Sequence, residues 1–167
     1  MRGLASTTMR LRPASIDDAA FIIEMARHAC VIEDWPLPEA DSEDTRSLLP
    51  GGRDTAIVAA EASGMRLGAV WTFHHHPPLL FGVDGVPLPE ITIAVVPEMR
   101  GRGIGGALLD ELIERCTGMY DALSLNVHRR NPAAHLYRRK GFRVIGQGRG
   151  VLGTAMRRDL PPRSTSV

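Results

Sequence analysis

Apolar positions recur along the chain with two periods, one helical and one strand-like. Phe21, Ile22, Met25, Ala26 and Ala29 repeat at helical spacing. Ser15 precedes them as a cap, Asp17 and Asp18 fall in the first turn, and the helix is predicted to end near Cys30. Before it, Arg10-Leu11-Arg12 reads as a short first strand stopped by Pro13. Thr55–Ala62 and Arg66–Phe73 read as a strand pair turning at Ser63-Gly64. Glu90–Val96 is a β-branched fourth strand, ended by Pro97. Ile104, Leu108, Leu109, Leu112, Ile113 and Cys116 then form one apolar helical stripe, with Asp110, Glu111, Glu114 and Arg115 outside it. Ala122–Val127 is a fifth strand. Asn131-Pro132 opens a short helix, and Arg138, Arg139, Lys140 and Gly141 close it. Phe142–Ile145 and Val151–Arg157 read as a final strand pair around a Gly-rich turn.

The order of these elements makes an α/β chain with a mixed sheet and helices on both faces. The strand-helix-strand unit over 90–127 is expected to be a right-handed parallel crossover, and the hairpin before it is antiparallel. Residues 33–44 break the pattern. Glu33, Asp34, Glu39, Asp41, Glu43 and Asp44 occur there with Pro36 and Pro38 and without a basic residue, as a loop or a broken second helix. Residues 1–8 are expected to be a disordered leader, 9–160 one domain, and 161–167 a flexible tail. No internal repeat is evident.

The length of 167 residues fits one domain. Only 5% of residues are aromatic, so the core has to be built from Leu, Ile, Val, Ala and Met. A net charge of +1 argues against a global electrostatic grip on nucleic acid. Lys140 is the only lysine among many arginines, as a GC-rich bacterial genome would encode. Cys30 and Cys116 stand alone without a CxxC pair, so neither a thiolate zinc site nor a disulfide framework is suggested. Cys116 falls on the helix stripe and reads as a buried thiol. No apolar run reaches 18 residues and the N-terminus has no signal-peptide core, so the expectation is a cytoplasmic protein without a membrane partner.

The chemistry concentrates in Val95-Val96-Pro97-Glu98-Met99-Arg100-Gly101-Arg102-Gly103-Ile104-Gly105-Gly106-Ala107. A strand runs into a glycine-rich turn and directly into a helix. Missing Cβ atoms let consecutive amides converge on one point, and the helix N-terminus adds positive potential. Such a cradle suits a phosphate or diphosphate, with Arg100 and Arg102 at its rim. No Lys-Ser or Lys-Thr follows, so a Walker loop is excluded. Gly101–Gly106 matches G-x-G-x-x-G literally. However, it comes late, behind a hairpin, in a chain too short for a dinucleotide domain plus a substrate domain. A glycine-rich turn without a ligand is the bland alternative, and four glycines opening a helix are a costly way to make one.

Arg100-Gly101-Arg102-Gly103-Ile104-Gly105 resembles the R/Q-x-x-G-x-G/A signature of the GNAT acyl-CoA N-acetyltransferases. Ile93–Glu98 is similar to that family's fourth strand, and Leu125-Asn126-Val127, Asn131–Tyr137 and Gly141-Phe142 are similar to its second motif. The element order agrees from Arg10 to Arg157. The resemblance implies a single domain with a twisted, mostly antiparallel sheet of six to seven strands, in which parallel strands four and five splay apart. Acetyl-CoA would lie in the gap, without a metal. Residues Gly101, Arg102, Gly103, Ile104, Gly105 and Gly106 would hold the diphosphate, and Ile93, Ala94 and Val95 would pair with the pantetheine arm. Asn131 would sit beside the pantetheine or adenosine, although the spacing from Asn131 to Tyr137 is one residue shorter than in many members.

By the same resemblance a primary amine of a small molecule or peptide attacks the thioester directly. Tyr137 matches the tyrosine near the sulfur and is the expected general acid; a packed core tyrosine is the alternative. Glu90 is the expected base, against a solvated strand-end carboxylate, in a register one residue off the commonest pattern. Asn126 stands where some members carry a fifth-strand base, and an amide cannot take that proton. His74-His75-His76 seldom fits one metal, because three consecutive side chains rarely converge; the alternatives are one of them lining the acceptor pocket, as a base in place of Glu90, and a plain loop surface. His28, His128 and His135 show no pattern. The acidic run 33–44 would favour a cationic acceptor, unless it is a solvated loop. Two rival readings are a non-catalytic acyl-CoA sensor and a dinucleotide oxidoreductase. Dimers are common among look-alikes, so a homodimer is compatible with the resemblance.

Overall fold

Seven strands form one sheet in the order β1-β2-β3-β4-β5-β7-β6, and every neighbouring pair is antiparallel except β4 with β5. They are β1 (Met9–Pro13), β2 (Ala56–Glu61), β3 (Arg66–Phe73), β4 (Glu90–Val95), β5 (Ala122–His128), β6 (Arg143–Gln147) and β7 (Gly153–Asp159). The helices are α1 (Ala19–Ala29), α2 (Glu43–Ser47), α3 (Ile104–Cys116) and α4 (Ala133–Arg139). This computed structural model describes residues 8–32 and 35–162. Apart from residues 8, 161 and 162, the expected leader and tail lie outside those limits, as do Glu33 and Asp34.

Strand alternation divides the core between the two faces. One face packs Ile57, Val70, Ile91 and Leu125 under the α3 stripe of Leu108, Leu109 and Leu112, with Leu136 and Tyr137 of α4 beside them. The other packs Val58, Ala69, Trp71 and Phe73 against Ile22, Met25 and Ala26 of α1. Cys116 is fully buried in the first cluster. Helices therefore cover both faces, and the mixed, mostly antiparallel sheet matches the expected architecture. Among the described residues no helix is long and apolar enough to cross a membrane.

A carboxylate ties the start of α1 to two strands. Asp18 is fully buried and accepts two bonds from the Arg12 guanidinium, at 2.7 and 2.9 Å. It also accepts from Arg66 Nε at 2.7 Å and from the Ser15 amide at 2.7 Å. Arg12 is on β1 and Arg66 opens β3, so one side chain fixes three elements.

The segment before α2 is pinned although it has little regular structure. Arg27 Nε donates to the Pro38 carbonyl at 2.7 Å, Thr45 Oγ1 to the Glu39 carbonyl at 2.8 Å, and the Trp71 indole to the Leu48 carbonyl at 2.7 Å. These bonds hold Leu48 and the 35–47 stretch over the α1 face. The final hairpin differs from expectation. Its strands begin at Arg143 and Gly153, and Val151-Leu152 belongs to the exposed turn between them. Glycines at 148, 150 and 153 lengthen that turn at the expense of the strand.

Candidate functional site

The parallel pair β4–β5 is joined at a single position, Glu90 opposite Ser124. There the Ser124 amide and hydroxyl both donate to the Pro89 carbonyl at 3.0 Å. Beyond that vertex the strands separate, and a cavity of about 1430 Å³ fills the space between them and the surrounding loops.

The open edge of β4 can be assigned by parity. Thr72 donates its amide to Thr55, towards β2, so the main chain of neighbouring Trp71 is turned to β4. Trp71 faces Thr92, and Val96 donates its amide to Leu67; even-numbered β4 residues therefore spend their main-chain groups on β3. The amides and carbonyls of Ile93 and Val95, beyond the rung, are turned into the gap. Ala94 has its main chain turned to β3, so only its side chain serves the cavity it lines.

The glycine turn lies at the C-terminal end of this edge. Gly101 and Gly103 adopt left-handed φ values of 77° and 84°, and nothing lies within 4 Å of where a Cβ would project. The first α3 amide with a backbone acceptor is Ala107, bonded to Gly103 at 3.1 Å. From Gly101 to Gly106 no amide has an acceptor among the described residues. Six free donors on a helix N-terminus fit a diphosphate by the chemistry of the donor set. The Arg100 side chain donates to Val95 O at 3.2 Å, and Arg102 is exposed outside the lining. Gly105 packs closely on Leu136, where a Cβ would come within 3.3 Å.

Asn131 and Tyr137 line the same cavity from the α4 side. Asn131 Oδ1 accepts from the Ala133 amide at 2.9 Å, so its carbonyl caps α4 and its amide nitrogen is left for a ligand. Tyr137 packs edge-on against Phe142 at a ring separation of 6.0 Å. Burial pushes its phenol up to about 12, so the ring keeps its proton throughout the neutral range.

Glu90 points to the α1 face, beside Phe73, and lines the vertex. It is not the solvated carboxylate considered above, being 2% exposed. Arg149 Nη1 and Nη2 each donate to one Glu90 oxygen at 2.6 Å. Arg149 Nη2 also donates to Pro77 O at 3.2 Å, and the Arg149 amide donates to Asn126 Oδ1 at 2.9 Å. Asn126 thus secures the last turn. A Cβ added at Gly148 would land on its Oδ1. Sequence reasoning missed Arg149; the only signal was a Gly-Arg-Gly triplet resembling the one at 101–103.

The histidine triplet diverges. His74 Nδ1 lies 3.1 Å from Asp54, His75 Nδ1 lies 3.1 Å from Pro77 O and lines the cavity, and His76 is exposed. No three potential metal ligands come together among the described residues. His28 lines the cavity, and burial lowers its pKa despite nearby Glu24. Burial, reinforced by Asp44, raises the Cys30 thiol to about 11, which leaves it a poor nucleophile at neutral pH. Of the acidic run, Asp44 alone among the described members reaches the lining. Trp35, Leu37 and Leu48 form the wall there, and the Trp35 ring meets His128 of β5 edge-on at 5.6 Å.

Similar proteins share this architecture. An N-acetyltransferase related to GCN5, from Kribbella flavida, is 25% identical with a TM-score of 0.68, covering 91% of this chain and 98% of its own. A phosphinothricin acetyltransferase from Sinorhizobium meliloti, solved with acetyl-CoA, is 26% identical with a TM-score of 0.67, covering 96% and 92%. Among curated proteins, a mycothiol acetyltransferase of Propionibacterium freudenreichii is 28% identical over 77% of this chain and 41% of its own length. An uncharacterised protein of Mycobacterium leprae is 35% identical over 67% of this chain and 28% of its own length. The chain spans less than half the length of these two curated relatives. The family description "Acetyltransferase (GNAT) domain" matches residues 53–144, more than half of the chain. With the splayed strands and the amide cradle it leads to one conclusion: the chain belongs to the GNAT acetyltransferase family.

Proposed function

We propose that this protein transfers an acetyl group from acetyl-CoA to a primary amine of a small molecule or peptide by direct attack. One observation carries the reading: six unpaired amides, Gly101 to Gly106, lie at the end of a strand edge whose Ile93 and Val95 groups face an open gap. The cradle suits the diphosphate, and the edge suits an extended pantetheine arm. The amine nitrogen bonds to the thioester carbonyl carbon, the carbon–sulfur bond breaks, and coenzyme A leaves as a thiol after taking up a proton.

Tyr137 serves as donor to the departing sulfur. Its phenol, at about 12, is a weaker acid than a thiol near 8.5, so complete transfer of its proton would be uphill. It therefore acts chiefly through a hydrogen bond to the developing thiolate. Glu90 is already engaged by a guanidinium, so it orients the amine through an N–H bond and the excess proton departs to water. In this reading the protein works in the cytoplasm as a monomer or a homodimer.

Calorimetry with coenzyme A, followed by thiol release from acetyl-CoA with an amine panel, tests the proposal. Ligand at about 100 times its dissociation constant should add roughly 2.7 kcal/mol of stability. Binding without thiol release from any amine would favour the sensor reading. Tyr137→Phe should keep the contact with Phe142 and the acetyl-CoA KM while lowering kcat by about 10- to 100-fold, the loss of one bond to a charged group. The parent kcat should show no alkaline loss from Tyr137 between about pH 8 and 10, since its raised pKa leaves it protonated there.

A further inference from the structure

The cavity carries one more message, about the acceptor, and it rests on the acetyl-transfer reading above. The carboxylate at the vertex is Glu90, and Arg149 cancels its charge through two 2.6 Å bonds. The guanidinium is not a loose surface group. Its main chain is fixed to Asn126, its Nη2 also reaches Pro77 O, and an added Cβ at Gly148 or Gly153 would strike Asn126 or the Arg149 carbonyl. Around this neutral pair Trp35, Leu37, Leu48, Phe73, Val151 and Leu152 line the cavity as its large apolar surfaces, interrupted by Ser47, His75 and Asp44. Bonds from Trp71 to Leu48 and from Arg27 to Pro38 hold that wall in place. Asp44 is the one described member of the acidic run on the lining, and Glu39, Asp41 and Glu43 are exposed away from it.

The geometry points to an acceptor with a single amine on an apolar or aromatic body, selected against polycations, with Arg149 as the residue that sets this selectivity. A second or third ammonium would have to leave water for a wall whose described lining offers it one uncommitted carboxylate, Asp44. An aryl or alkyl group instead removes the surfaces of Trp35, Val151 and Leu152 from water, two of which are largely exposed. The proposed acceptor departs from the cationic preference that the 33–44 composition suggested. Those carboxylates are near the site in sequence, but the described ones other than Asp44 do not face it.

The test follows thiol release from acetyl-CoA with 2-phenylethylamine and with spermidine. The parent protein should favour phenylethylamine in kcat/KM by about 10-fold or more, with little change on adding salt. Arg149→Gln uncovers Glu90 and should shift the ratio towards spermidine by about 10-fold, with salt sensitivity appearing. Arg149→Lys keeps the charge and should stay close to the parent ratio. Trp35→Ala should raise KM for phenylethylamine with a smaller effect on kcat. If Arg149→Gln does not fold, the Glu90→Gln, Arg149→Gln double variant replaces it. That variant restores neutrality and should keep the apolar preference; a gain for spermidine would overturn the assignment to Arg149. A parent enzyme that acetylates spermidine as well as phenylethylamine overturns the inference and leaves acetyl transfer standing. If neither amine is turned over, protection against thermal unfolding by each amine with coenzyme A present gives the ratio instead, and equal protection overturns the inference. Failure to bind acetyl-CoA at all defeats the parent reading.

Discussion

Gly103→Val is expected to weaken coenzyme A binding by about 100-fold, equivalent to roughly 2.7 kcal/mol, in calorimetric titration. Gly103 sits at φ 84°, a left-handed value that a β-branched residue adopts only under strain. The chain can relieve the strain by rotating out of that region, which turns the amides of residues 101–104 away from a common point. Losing two amide-to-phosphate bonds, each about 1.5 kcal/mol as a charge-assisted bond, accounts for the size of the effect. The fold should survive, because nothing lies within 4 Å of the new Cβ and the α3 core begins only at Ile104. Gly85→Val is the control. Gly85 has a comparable φ of 75° and similarly open surroundings, but it lies in the loop before β4, remote from the cradle in sequence. It should cost similar stability and leave binding intact. Equal loss of affinity in both proteins would mean that backbone strain in general, not the cradle, governs coenzyme capture.

Asp18→Ala is expected to cost about 2–4 kcal/mol in urea unfolding, at the lower side of values for breaking a buried ion pair. The carboxylate is fully buried, but Arg12 and Arg66 keep 39% and 34% of their side chains exposed and can turn to water once it is gone. The same group produces an acid limb. The Arg12 guanidinium, then the Ser15 amide and Arg66, hold the Asp18 carboxyl well below the ordinary carboxylate range in the folded state, against the opposing effect of burial. A depressed folded value means that the contribution is complete above the unfolded pKa, about 3.9, and is lost progressively below it. The parent should therefore lose stability on acidification below about pH 4 more steeply than Asp18→Ala does. Identical acid limbs for the two proteins would remove Asp18 as the cause.

The parts of the molecule legible in sequence are those whose cause is local. The β-branched run ending at Val95, the four glycines and the α3 stripe each carry their signal within about a dozen residues, and each forms where its pattern places it. Asn131 announces its capping role for the same reason. The vertex was not legible. Glu90 and Arg149 are 59 residues apart, and their pairing depends on β7 lying beside β5 and on a turn shaped by Gly148 and Gly153. Composition placed the acidic run near the acceptor, but a carboxylate's neighbourhood in sequence does not say which way it faces. Val151 and Leu152 have strand-forming side chains, yet the surrounding glycines release them from the ladder and leave them at the cavity wall.

The single rung between β4 and β5 has a kinetic consequence. It leaves the sheet as two plates, β1–β4 and β5–β7–β6, stitched at Glu90 and Ser124, with α3 packed on the first of them. In the acetyl-transfer reading proposed above, a coenzyme arm bonded to Ile93 and Val95 would act as a borrowed strand that stiffens the seam. In that reading its departure would have to unzip from that edge, which sets release of the spent carrier beside amide formation as a step that limits turnover.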